Sequence, residues 1–303
     1  MKIDPHVHDY GGIAWVMKQA QKQGINTLLI MPSKNRPVLR EKDLQKKIAE
    51  ARRKKLAGRC FFYIKTTSGQ GQIEEAVRLA ENYREVAGLK LFPPENEKKE
   101  IYQLLSQLAY KGVLAVHAEK ASLLKPELFD PLRPWTHGLA HPAEAETESI
   151  KEQIGFARET GFQGSLYVCH ISLSDSAEII WQAKNHLRVY SEVTPHHLLF
   201  NDLLLKVSGK YGIFFKVDPP LRSRKAVSDL VRAVQGGLVD CLGTDFAYHS
   251  PWEKLWYPHS SGVARYELYG QALSFLREKG INEENIEKLT CLNVKKIFGE
   301  KLA

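Results

Sequence analysis

The sequence predicts an α/β fold of the (β/α)8 TIM barrel type, on three observations. Apolar runs of strand length alternate with amphipathic runs of helix length, eight such pairs fit within 303 residues, and several helical runs stop at a glycine. A doubly wound open sheet is the alternative arrangement of the same repeat.

The predicted strands are KIDPHVH (2 to 8), NTLLIMP (26 to 32), RCFFYIKT (59 to 66), VAGLKLFP (86 to 93), VLAVHAE (113 to 119), SLYVCHI (165 to 171), RVYSEVTP (188 to 195) and VDCLGTDF (239 to 246). Helical patterns lie at about 13 to 23, 41 to 57, 72 to 84, 97 to 111, 142 to 160, 174 to 185 and 223 to 236, with two more from 263 to 298. Gly24, Gly58, Gly112, Gly161 and Gly236 are the expected helix stops. No linker, low-complexity tract or tandem repeat divides the chain, so one domain is expected. Longer irregular stretches at 120 to 141 and 247 to 262 follow predicted strands, on the side where a barrel carries its site.

Composition narrows the function classes. A hydrophobic content of 43% supports a sizeable core. Apolar runs such as TLLIM (27 to 31) fall far short of the roughly 20 residues that span a bilayer, and no signal peptide precedes Asp4, so a cytoplasmic protein is expected. Cys60, Cys169, Cys241 and Cys291 lie far apart without a CxxC pair, which suits reduced core thiols. The net charge of +8 is spread along helix faces such as EKDLQKKIAEARRKK rather than interleaved with aromatics. Neither nucleic acid nor membrane is the expected partner, and a positive field favours small anionic substrates.

Residues suited to metal binding fall near the C-terminal ends of these strands: His6 and His8 on the first, Lys90 on the fourth, His117 on the fifth, His170 on the sixth and Asp245 on the eighth. The i, i+2 spacing of His6 and His8 puts both imidazoles on one face. Singly, each has a plainer reading: a hydrogen-bonded core histidine, or an aspartate capping a turn. Together they share one rim, whereas chance would scatter them over both ends and both faces. Lys90 sits between Leu89 and Leu91, which must face the helices, so the lysine points into the barrel. A lone ammonium there costs several kcal/mol in desolvation. Burial favours a neutral amine, which reacts with carbon dioxide to give a carbamate, an anion able to bridge two metal ions. The plainer alternative is a lysine paired with a buried carboxylate.

This constellation resembles the signature of the amidohydrolase superfamily with a binuclear metal centre. EVTPHHL (192 to 198), VDPPLRSR (217 to 224), GTDFAYHS (243 to 250), HPAEAE (141 to 146), GLKLF (88 to 92), VHAE (116 to 119) and NVKKIFG narrow it. They are similar to dihydroorotases, among them the dihydroorotase domain of the animal multifunctional pyrimidine enzyme and related bacterial and archaeal enzymes. The resemblance covers almost the whole chain. It implies that His6 and His8 hold one metal with Asp245, that His117 and His170 hold the other, and that carboxylated Lys90 bridges them. Two divalent ions are implied, zinc first, although manganese, cobalt or iron suit the same shell. Asp245 would move the proton between attacking water and departing ring nitrogen. Cys169 and Glu192 match positions of an additional metal, although strand alternation puts Cys169 on the opposite face from His170. The implied reaction interconverts N-carbamoyl-L-aspartate and dihydroorotate in pyrimidine synthesis.

The substrate positions depart from that pattern. Tyr10 stands where the family has an arginine that binds the substrate carboxylate, and Ser33 where it has the asparagine of MPN. His249 is retained in DFAYH, while Phe246 and Tyr248 differ from the family's DHAPH. Arg224 in PPLRSR matches a substrate-contacting arginine of the animal-type domain, with Arg222 the alternative. Tyr10, Ser33, Asn35, Arg222, Arg224 and His249 are therefore the candidate substrate contacts. No tyrosine reproduces a bidentate clamp, so Lys34 or Arg36 is the candidate replacement cation.

Three residues precede Asp4 and four follow Gly299, so the family's small β-sandwich is not expected and residues 1 to 303 read as a single metal-dependent barrel. The uncovered surface would be polar or engaged in a homo-oligomer or with another pyrimidine-pathway enzyme. Two other functions fit these residues. One is hydrolysis of a different ring by a hydantoinase, dihydropyrimidinase or allantoinase-like enzyme; the other is a non-catalytic scaffold.

Overall fold

A computed structural model describes residues 2–33 and 37–302. Its eight strands are β1 (Lys2–Val7), β2 (Ile25–Ile30), β3 (Cys60–Lys65), β4 (Val86–Leu91), β5 (Val113–Val116), β6 (Ser165–Val168), β7 (Val189–Val193) and β8 (Cys241–Leu242). They pair in parallel in chain order. The ring is joined between β8 and β1 by a bridge from Val7 to Phe246, with Asp245 N donating to His6 O and His8 N to Phe246 O, each at 2.9 Å. This is the predicted barrel. Strand eight is the least faithful to expectation: only Cys241 and Leu242 of residues 239 to 246 have strand geometry.

The principal helices are α1 (Ile13–Gln21), α2 (Glu41–Arg53), α3 (Gln70–Asn82), α4 (Lys99–Gln107), α5 (Ala143–Thr160), α6 (Ser174–Ala183), α7 (Arg224–Gln235) and α8 (Glu267–Glu278). Gly161 caps α5 with a left-handed φ of 67°, as a helix-stopping glycine should. After α7 the left-handed residue is Gly237 (φ 74°) rather than Gly236, one position beyond the predicted stop.

Alternation along the strands sorts side chains into two layers. Leu28, Ile30, Phe62, Ile64, Leu89, Leu91, Leu114, Val116, Leu166 and Val168 pack outward against the helices. Leu29, Phe61, Tyr63, Ala87, Val113, Ala115, Tyr167 and Cys241 fill the interior. The floor is closed by Val294, Ile297, Phe298 and Leu302 from NVKKIFG and the residues after it. Phe298 meets the rings of Tyr63 and Tyr167 at 6.0 and 5.2 Å. With its lower end plugged by apolar residues, the barrel opens at the C-terminal ends of its strands.

Residues 120 to 141 and 247 to 262 are less irregular than expected. They contain short helical turns, including His137–Ala140 and Pro251–Leu255. The segment after β7 adds Pro195–Leu199, Leu203–Val207 and Gly209–Phe215, which strand and helix periodicity did not reveal because each is too short to repeat a pattern. All four cysteines are buried and free. Among the described residues, no helix is long and apolar enough to cross a membrane.

Candidate metal centre

The strand ends bring His6, His8, His117, His170 and Asp245 around one cavity of about 330 Å³. His6 Nε2 and His8 Nε2 converge on the same Asp245 oxygen, at 3.2 and 3.4 Å. One ligand atom from each of these three residues lies within 4.8 Å of the others. On the far side His170 stands edge-on to His117, with ring centroids 4.5 Å apart, and 5.3 Å from the ring of His6. Lys90 is fully buried beneath them, its Nζ donating to Cys169 Sγ at 2.9 Å. Among the described residues Lys90 has no carboxylate partner, so the ion-pair alternative has no support in the geometry.

Two of these side chains reach the cavity through a backbone twist rather than through alternation. Tyr167 and Cys169 both pack in the interior, so Cys169 follows the inward parity of β6 and the following His170 would face the helices. His170 instead has a φ of 38°, a left-handed conformation rare outside glycine, which turns its imidazole back over the rim. The sequence expectation that Cys169 and His170 lie on opposite faces is thereby corrected. Asp245 (φ 46°) is set by the same device. Such strained conformations persist where surrounding contacts hold them.

Those contacts come from residues that sequence reading passed over. Asp4, fully buried, accepts from Thr244 N (3.0 Å), Thr244 Oγ1 (2.5 Å), Tyr266 Oη (3.0 Å) and His6 N (3.2 Å). It ties the strand that carries the HxH pair to the turn that carries Asp245. Glu192 takes the Nδ1 side of His6 at 2.7 Å and accepts from His170 N (3.1 Å) and Tyr167 Oη (2.7 Å). Glu119 bonds His117 Nε2 at 2.8 Å and His141 Nδ1 at 2.9 Å, leaving Nδ1 of His117 available to a metal. For Asp4 and Glu119 the signal was present: an acidic residue two positions from a rim histidine.

The electrostatics follow from burial and these pairings. Burial opposes charge on His6, yet Glu192 and Asp245 hold its pKa well above the usual imidazole value. His170 is pushed well below it by burial and by neighbouring His117. Burial pushes the Glu119 carboxyl up, but the bonds from His117 and His141 outweigh it and bring its pKa to about 2.

The donor set fits a divalent cation. Buried nitrogens His8 Nδ1 and His170 Nδ1 have no hydrogen-bond partner among the described residues, and ligand atoms of His6, His8 and Asp245 converge beside them. His6, Cys169 and Glu192 form a second group of convergent ligand atoms directly beneath.

Of the expected substrate contacts, Tyr10, Ser33 and His249 line the cavity. Tyr10 stacks on His8 with rings 5.4 Å apart and 5° from parallel, and meets His249 at 5.0 Å. Ser33 Oγ donates to Asp9 Oδ1 at 2.6 Å, and Asp9 pairs with Lys47. Arg222 does not line the cavity: Ser172 Oγ (2.8 Å), His141 O (2.7 Å) and Glu146 (3.4 Å) occupy its guanidinium. Arg224 stands exposed at the first turn of α7 and does not line the cavity either. Asn35, Lys34 and Arg36 lie outside the described residues. Lys65, Phe92, Asp218, Ser260 and Ser261 complete the wall and were missed.

Fold and site together define a (β/α)8 barrel whose rim gathers residues that could hold a metal ion. No family model matches the chain. Among curated proteins it is 30% identical over 271 residues to a dihydroorotase of Aeropyrum pernix, covering 84% of this chain and 59% of that protein. It is 29% identical over 245 residues to a dihydroorotase of Deinococcus radiodurans (78% and 56%), and 33% identical over 175 residues to one of Streptomyces coelicolor (56% and 39%). The chain thus spans about half the length of the curated relatives it matches. Among solved structures it superposes on a dihydropyrimidinase from Brevibacillus agri with a TM-score of 0.80 and 21% identity, covering 98% of this chain and 70% of that one. An L-hydantoinase from Arthrobacter aurescens gives 0.77 and 21%, with the same coverage. In sequence the chain is thus similar to dihydroorotases, and in fold to the barrels of these solved structures.

Proposed function

We propose that the protein is a metal-dependent hydrolase of cyclic amide C–N bonds, and specifically a dihydroorotase that reversibly cyclises N-carbamoyl-L-aspartate to dihydroorotate in cytoplasmic pyrimidine biosynthesis. The convergence of His6 and His8 on Asp245, with His117, His170 and Lys90 beside them, carries this reading. The curated relatives named above, all dihydroorotases, support the choice of ring.

In this reading His6, His8 and Asp245 hold one ion, His117 and His170 the other, and carboxylated Lys90 both. Bound there, two divalent ions, zinc first, would supply a nucleophile at neutral pH and would polarise the scissile carbonyl. The rest falls to the chain. Asp245 accepts the proton of the attacking water and returns it to the ring nitrogen as the C–N bond breaks; closure runs the same transfers backward. Glu119 fixes the tautomer of His117, and Glu192 orients His6. Cys169 and Glu192, with His6, are the proposed ligands of an additional ion.

A second reading keeps the chemistry and changes the ring to a neutral hydantoin or dihydropyrimidine. Tyr10 and Ser33 favour it, because neither brings positive charge to the wall. Metal-loaded protein, supplied with bicarbonate, tests both against dihydroorotate, carbamoyl aspartate, hydantoin and dihydrouracil. Turnover of dihydroorotate with kcat/KM well above that of the neutral rings supports the first. No turnover of dihydroorotate by fully loaded protein overturns it.

A further inference from the structure

Resting on the dihydroorotase reading, we infer that Lys65 is the residue that recognises the substrate carboxylate. The sequence offers Lys34 or Arg36, in the loop after β2, as this cation, because Tyr10 stands where the arginine beyond HxH is expected. The structure offers a different one.

Lys65 is the last residue of β3. Phe61 and Tyr63 of the same strand fill the barrel interior, while Cys60, Phe62 and Ile64 pack outward. Alternation therefore turns Lys65 inward, one step above Tyr63, and it lines the cavity beside Phe92, Ser33 and Tyr10. Among the described residues it is the one lysine or arginine on that wall. It is half-buried, and its ammonium has no ion pair or hydrogen bond among the described residues. Among the described residues Lys47 is engaged with Asp9, Arg222 with Glu146 and Ser172, and Lys216 with Ser261. A partly desolvated, unpartnered ammonium facing a site for a ring acid is matched by a carboxylate, which takes up its donors.

One competing role is specific enough to need exclusion. Lys65 is the register partner of Lys90 on β4, and the competing role for its charge is to face a carbamate there. The geometry argues otherwise: Lys90 Nζ reaches away from β3, across to Cys169 after β6, and is fully buried, whereas Lys65 stops at the open wall. The positive charge that the family is expected to place after β1 is thus carried here on β3, two strands around the ring.

The experiment compares Lys65→Met and Lys65→Arg with the parent chain, all loaded with zinc and bicarbonate. Methionine keeps the length of the side chain and removes the charge. Expected for Lys65→Met are a KM for dihydroorotate raised about 10- to 100-fold, the scale of one charge-assisted hydrogen bond, and a kcat within about threefold. Binding of orotate, an unreactive planar ring acid, should weaken by a similar factor, zinc content should stay at the parent value, and Lys65→Arg should restore most of the affinity. Unchanged KM and orotate binding in an active enzyme would overturn the assignment. So would a fall in kcat and zinc content with KM preserved, which would make Lys65 a partner of the metal centre. The parent chain separates this inference from the reading it rests on: if it turns over neutral rings but neither turns over dihydroorotate nor binds orotate, the dihydroorotase reading itself fails.

Discussion

Gly243 and Glu192 approach so closely that a Cβ at position 243 would stand 2.5 Å from Cδ of Glu192. The bare glycine on the strand-eight turn is what lets this carboxylate lie under His6 and accept from His170 N and Tyr167 Oη. Gly243→Ala should therefore push Glu192 out of line. The expected result is a loss of about 1–3 kcal/mol in stability, as for other overpacked interiors, together with at least a tenfold fall in turnover. Urea unfolding alongside a dihydroorotate assay checks both; a variant as stable and active as the parent would show that Glu192 has room to spare.

Glu119 joins His117 to His141 through its two oxygens. Glu119→Gln keeps the shape but replaces one acceptor with a donor, so one histidine loses its anchor. Partners of this kind are worth about 10- to 100-fold in metal affinity. Zinc retained against graded chelator should fall by that factor, with the secondary structure unchanged by circular dichroism. Equal retention by both proteins would remove Glu119 from the metal centre's support.

Lys90 is buried against Cys169 and Phe92 with no carboxylate partner among the described residues. Protein prepared with ¹³C-bicarbonate should show a carbamate carbon resonance that is absent from Lys90→Met. The same variant should bind markedly less metal while remaining folded, because methionine suits the apolar surroundings of that side chain. A carbamate signal that survives the substitution would place the modification elsewhere.

Lys254, within the 247 to 262 segment, is 4% exposed, with Nζ donating to Lys216 O at 3.3 Å. Burial, reinforced by the Lys216 cation, brings its pKa down to about 7 from 10.5. The folded chain then binds fewer protons than the unfolded chain between pH 7 and 10.5, so stability rises with pH across that window. The contribution is fully present above 10.5 and is lost as pH falls through 7. Lys254→Met removes this dependence and should raise stability near neutral pH by at most about 5 kcal/mol, the free energy of that shift. Urea midpoints at pH 7 and 9.5 should diverge for the parent and converge for the variant; parallel behaviour would count against a buried, neutralised amine.

Much of this was legible in the linear order of residues. Strand alternation correctly turned Lys90 inward between Leu89 and Leu91, and the shared rim of His6, His8, His117, His170 and Asp245 followed from placing eight strands. Local periodicity carries that information, because side-chain direction along a strand repeats every two residues. It failed where the backbone leaves that repeat. His170 and Asp245 face the cavity through left-handed φ values, and Cys169, expected to face away from His170, lies in the interior with it.

The sequence by itself determined the barrel, its layers and the residue types at its mouth, since these depend on composition and short-range pattern. Which cation among the described residues faces the cavity was decided only by tertiary structure. Arg222 is withdrawn by Glu146, 76 residues away in the chain; Arg224 is carried outward on α7; and Lys65 reaches the wall because β3 ends level with Lys90 on β4. A charged side chain takes the partner that best offsets its desolvation, and that partner is set by the packing of distant segments rather than by its neighbours in sequence.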